Sequence, residues 1–87
     1  MLSPFHIRTA RAALEISQIE LAKSTDLAIK TVQKMEYGFD EFVNVNARSL
    51  IKVKRFFEER GIEFIEAIND GSIAGVGIRF FPPERDL

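Results

Sequence analysis

The chain has 87 residues, 46% of them hydrophobic, with a net charge of −1 and no cysteine. That length suits one domain, residues 1–87, with a compact core. The absent cysteines exclude a disulfide framework and a thiolate metal site, and the lone His6 cannot anchor a metal by itself, so it is expected to be buried or capping.

The charge is unevenly spread. Residues 1–60 carry ten Lys and Arg against eight Asp and Glu, whereas residues 61–87 carry two against five. The front part is therefore the expected phosphate-facing part, with modest, salt-sensitive affinity. The opening Met1–Arg8 has neither a basic leader nor a long apolar run. No membrane association is expected, and the expected location is cytoplasmic.

Ser3 and Pro4 open a first helix, predicted over Pro4–Glu15, with Ile7, Ala10, Leu14 and the Arg11 stem on one face. Ser17 and Glu20 form a Ser-x-x-Glu capping box for a second helix, Gln18–Ser24, with Ile16 and Leu21 as its staple. Leu21 and Ala22 face inward, and small Ala22 permits a close helix crossing. Thr25-Asp26-Leu27 makes a turn into a third helix, Ile29–Glu36. Val32 and Met35 point to the core, Lys30, Gln33 and Lys34 point out, and Gly38 ends the helix. Phe39–Val45 reads as a loop. Asn46 caps a fourth helix, Ala47–Arg60, whose apolar stripe is Leu50, Val53, the Lys54 stem and Phe57, widened by Ile51 and Phe56. Its Arg48, Lys52, Lys54 and Arg55 are expected to serve solubility and to pair with Glu58 and Glu59. Beyond Gly61 the period changes. Residues 62–65 and 76–81 read as an antiparallel two-stranded ribbon, with a turn at Asn69–Ser72, a stop at Pro82-Pro83 and a frayed tail to Leu87. The expected fold is mostly α: a helical core over 4–60 and a short C-terminal β-ribbon over 61–82.

Two short helices joined by a tight turn, Ser17–Gly38, form a unit that can place its second helix in the major groove of DNA. The residues Ile7-Arg8-x-Ala10-Arg11, Ser17-Gln18-x-Glu20-Leu21-Ala22 and Thr31-Val32-x-x-Met35-Glu36-x-Gly38 resemble the Cro/C1-type (XRE) helix-turn-helix family. The likeness covers roughly residues 5–60. The tail, Gly61-Ile62-Glu63-Phe64-Ile65 and Gly77-Ile78-Arg79-Phe80, is similar to a small bacterial subgroup with a C-terminal ribbon. The resemblance implies a four-helix, lambda-repressor-like domain and a sequence-specific transcriptional regulator acting as a dimer on double-stranded DNA. It implies base reading by Ala28, Ile29, Lys30 and Gln33, and phosphate contact by Gln18, Thr31 and Lys34. The residue chemistry agrees in part: Gln33 suits adenine, Lys30 guanine, and Ile29 a thymine methyl. Arg8, Arg11 and Lys23 are further backbone candidates. The chain departs from the family pattern at four places: Asp26 replaces a turn glycine, Ala28 a Ser or Thr cap, Ile29 a polar reader, and Tyr37 a basic residue. Asp26 or Thr25 is expected to cap in place of Ala28.

No arrangement of residues points to catalysis, and no cofactor or metal is expected. The Phe56-Phe57-Phe64 cluster reads as core. Adjacent Phe80 and Phe81 point to opposite faces of a strand, so one is expected to stay exposed. With the ribbon's open edges, this makes Ile62, Phe64, Ile78, Phe80 and Phe81 a candidate surface for a protein partner or homodimer, with the fourth helix as another. The second functional reading is thus a protein-interaction module on the same fold, such as an antiactivator that sequesters another transcription factor or an antitoxin-like inhibitor.

Overall fold

The computed structural model describes residues 2–38, 42–66 and 76–83. Helices α1 (Pro4–Leu14), α2 (Gln18–Thr25), α3 (Ile29–Glu36) and α4 (Ala47–Glu59) are followed by strands β1 (Ile62–Ile65) and β2 (Gly77–Phe80). The strands pair antiparallel, Ile62 opposite Phe80 and Ile65 opposite Gly77. The architecture is the mostly helical domain with a C-terminal ribbon that the periodicity predicts. Boundaries move by a residue: α1 and α4 stop one earlier and α2 runs one further. The Asn69–Ser72 turn, most of the interstrand connection and the Glu84–Leu87 tail lie outside the described residues.

Local chemistry sets the helix ends. The Ser17 hydroxyl accepts the Glu20 N–H at 3.0 Å, and Glu20 accepts the Ser17 N–H at 3.4 Å, completing the predicted capping box. Asn46 accepts the Arg48 N–H at 2.7 Å. Glu15 and Asp26 both sit in the left-handed region, at φ 56° and 55°. At each, the next N–H reaches five residues back, Ile16 to Arg11 and Leu27 to Ala22. This is the bonding of a helix end normally built on glycine, and Asp is among the side chains that tolerate it. One expectation fails here. Neither Thr25 nor Asp26 caps α3, which has no side-chain cap. Thr25 is the last residue of α2, and its hydroxyl donates to its own helix, to the Leu21 carbonyl at 2.7 Å.

The core takes one or more residues from each helix and from β1: Ile7, Ala10, Leu21, Ala22, Val32, Met35, Val53, Phe56, Phe57 and Ile62. Phe57 is fully buried, edge-to-face with Phe56 at 5.4 Å and Phe64 at 6.1 Å, so these aromatics are core as expected. Ile51 does not widen the stripe. It lies on the outer side of α4 and is exposed.

His6 ties the chain's beginning to its ribbon. Its ring is fully buried. Nδ1 accepts the Ser3 N–H at 3.1 Å and lies 2.9 Å from the Ser3 hydroxyl, while Nε2 lies 2.7 Å from the Ile65 carbonyl. A neutral ring with its proton on Nε2 satisfies all three contacts. The expected buried, capping histidine is therefore both things at once.

Gly61 joins α4 to the ribbon at φ +90°. Its carbonyl accepts the Phe81 N–H at 2.7 Å, and a Cβ at this position would lie 2.0 Å from the Phe81 carbonyl oxygen. Gly77 has no such neighbour. Gly61→Ala should therefore cost at least about 2 kcal/mol in urea unfolding, from the left-handed backbone and the collision together. Gly77→Ala should change stability by less than about 0.5 kcal/mol.

Candidate nucleic-acid interface

Helix α3 has two different faces. Val32, Met35 and Glu36 are buried, while Ala28, Lys30, Gln33 and Lys34 are exposed. Lys30, Gln33 and Lys34, with exposed Tyr37, line a shallow depression. Neither lysine makes an ion pair among the described residues. Ala28 precedes the first turn and cannot cap it, so the Ile29 and Lys30 N–H groups are without a side-chain acceptor from that residue.

The other predicted contacts divide. Gln18 and Thr31 are half-buried and Lys23 is exposed. Ile29 is half-buried and packs against the hydrophobic core, so part of its side chain is spent inward. Of the four predicted base readers, Ala28, Lys30 and Gln33 are exposed.

Arg11, expected at a phosphate, is engaged within the protein. Its Nε donates to Glu36 Oε2 at 2.8 Å and Nη2 to Oε1 at 2.9 Å, a two-pronged ion pair. Its Nη1 donates to the Ile16 carbonyl at 3.0 Å. The hydrogen bonds to Glu36 hold its pKa above the ordinary arginine value, against the opposing effect of burial and with help from the carboxylate's charge. Arg8 is likewise committed: Nη1 donates to the Glu36 and Gly38 carbonyls, at 2.5 and 2.6 Å. Both arginines hold the C-terminal end of α3 to α1. Glu36 is the residue that sequence reasoning passed over. Its place one turn after Val32, on the inward side of α3, was the available signal.

Helix α4 presents a second basic surface. Arg48, Lys52 and Arg55 are exposed, and the expected pairing with Glu58 and Glu59 is not formed. Lys52, Arg55 and exposed Ile51 border a cleft against the Ser24–Asp26 end of α2. Arg60 instead lies over the Phe56 ring, 3.7 Å from its centre.

The ribbon surface also divides. Ile62 is buried, and Phe64 and Ile78 pack against the core, so three of the five candidate partner residues serve the protein's own interior. Phe80 and Phe81 are both exposed, at 39% and 59%, where one was expected. Phe80 shares a face with Ile62, but it lies at the end of the outer strand. Among the described residues, no helix is long and apolar enough to cross a membrane, and no cluster of His, Asp and Glu could hold a metal ion.

No family model and no curated protein matches this chain.

The burial of the ion pair is lopsided: the Glu36 side chain is 4% exposed and that of Arg11 26%. Removing the partner of the more buried charge costs more. Arg11→Met should therefore destabilise the fold by about 3 kcal/mol, and Glu36→Gln by about half that. Arg11→Met combined with Glu36→Met should be more stable than Arg11→Met alone in urea unfolding.

Proposed function

We propose that this protein is a sequence-specific DNA-binding regulator of the Cro/C1 kind, cytoplasmic and without enzymatic activity, which inserts α3 into the major groove. The observation that carries this reading is the two-faced α3. Its inner face is locked by Arg8, Arg11 and the core, and its outer face offers Lys30, Gln33 and Lys34 free of ion pairs among the described residues. A rigidly held helix with an unsatisfied basic and amide face is what direct readout requires. Gln33 pairs with adenine N6 and N7, and Lys30 donates to guanine O6 and N7. Lys23, Lys34, Gln18 and Thr31 contact phosphates, which fix the docking without reading sequence. As a dimer, two copies of α3 span half-sites one DNA turn apart. Occupancy of the site then blocks or aids polymerase.

The commitment of Arg8 and Arg11 to Glu36 lowers the charge available for DNA. Lys23, Lys30 and Lys34 are left on this face, which corresponds to a salt slope of about −3 per protomer at most. A second reading is favoured by the exposed Phe80 and Phe81 beside Leu14 and by the unpaired basic surface of α4. Here the same fold sequesters another protein, as an antiactivator or antitoxin-like inhibitor does.

Titration of labelled protein with DNA from upstream of its own gene, at several salt concentrations, separates the two. Backbone amide shifts confined to residues 18–36 with a salt-dependent Kd support DNA binding. No shift with that DNA, with shifts over residues 50–81 on adding a protein partner, supports sequestration. Lys30→Ala with Gln33→Ala should weaken specific binding by about 100-fold or more while circular dichroism and thermal unfolding stay unchanged. Operator binding retained by the folded double variant would refute the assignment of these two side chains.

A further inference from the structure

Helix α4 carries a row of side chains that the fold does not use. Arg48, Ile51, Lys52 and Arg55 stand at i, i+3, i+4 and i+7, so they share one side of the helix. All four are exposed, Ile51 at 55%. Cations three or four residues apart repel one another and oppose the helix that bears them. Among the described residues, no carboxylate forms an ion pair with any of the three. Part of the row borders the cleft between α4 and the end of α2. Ile51 and Phe56 give that cleft its apolar part, Lys52, Arg55 and Arg60 line it with positive charge, and Asp26 and Glu59 with negative. Arg60 is held in place, its guanidinium over the Phe56 ring and its Nη1 donating to the Phe56 carbonyl at 3.1 Å. The side chains of Lys52 and Arg55 have no such attachment among the described residues.

We propose that this surface docks an acidic amphipathic helix of another protein, with an apolar side chain of the partner against Ile51 and Phe56 and its carboxylates on Arg48, Lys52 and Arg55. Charge complementarity selects that occupant. The cations recur every three or four residues, the spacing at which a helix repeats its own side chains on one face, so carboxylates one turn apart each meet one of them. An uncharged apolar segment would strip water from Lys52 and Arg55 and return no counter-charge. A nucleic-acid backbone also fits worse. It has no apolar group to set on Ile51, and it would bring phosphate against Asp26 and Glu59. The inference rests on the sequestering reading and deepens it by giving the partner's chemistry. The cleft shares no lining residue with the depression on α3.

The probe is a capped helical peptide of about 20 residues, long enough to hold a helix. It is built from alanine, leucine and glutamate, with leucine every three or four positions between two rows of glutamate. Titrated into the full chain at low salt, it should shift the backbone amides of residues 24–26 and 48–60. The same peptide with glutamine for glutamate should bind about tenfold more weakly or worse. Lys52→Glu with Arg55→Glu, folded by circular dichroism, should lose about tenfold or more in affinity for the glutamate peptide and gain affinity for a lysine version of it. No binding of the glutamate peptide, equal binding of the glutamine peptide, or binding indifferent to the charge reversal would overturn the proposal. Shifts over residues 48–60 caused by duplex DNA and not by the peptide would assign the row to phosphate and overturn it as well. A protein partner that shifts only the residues around Phe80 and Phe81 would overturn this docking site and leave sequestration standing.

Discussion

The placement of α3 depends on one carboxylate. Glu36 lies at the last turn of α3 on its buried side, and the two prongs of Arg11 from α1 neutralise it. The same turn's carbonyl, and that of Gly38, accept from Arg8. A helix of eight residues is too short to be stable by itself. Burial of Val32 and Met35 turns one side of α3 to the core and leaves Lys30, Gln33 and Lys34 outward. The planar guanidinium of Arg11, matched to both oxygens of one carboxylate, adds a directional hold to that orientation.

That arrangement uses charge twice. Of the five basic side chains on α1, α2 and α3, two, Arg8 and Arg11, hold the end of α3. In the proposed DNA complex, geometric precision at α3 thus comes with a lower share of non-specific attraction, consistent with a net charge of −1. Ile29 shows the same compromise at the single-residue level, since its side chain is half taken by the core.

His6 and Gly61 attach the ribbon. The histidine links the α1 start to the Ile65 carbonyl, and the glycine lets α4 turn directly into β1 while its carbonyl holds Phe81. The ribbon is therefore an extension of the helical core, with its inner strand buried at Ile62 and its outer strand presenting Phe80 and Phe81.

Much of the fold was legible in the sequence because its signals are local. Ser17 and Glu20 announce α2, Asn46 announces α4, and the period change after Gly61 announces the ribbon, each through contacts spanning a few residues. The outward face of α3 was also legible, because helical period alone separates Lys30, Gln33 and Lys34 from Val32 and Met35. Other features were not. The roles of Arg8 and Arg11 depend on partners 25 to 30 residues away. The second bond of His6 is made to a residue 59 positions on. The exposure of both Phe80 and Phe81 depends on where the helical layer ends. By itself the sequence determined the elements, their caps and which side of each is apolar. Only the tertiary structure decided which charges are free for a partner and which are spent, because an arginine reads the same whether its guanidinium meets water, a phosphate or a buried carboxylate.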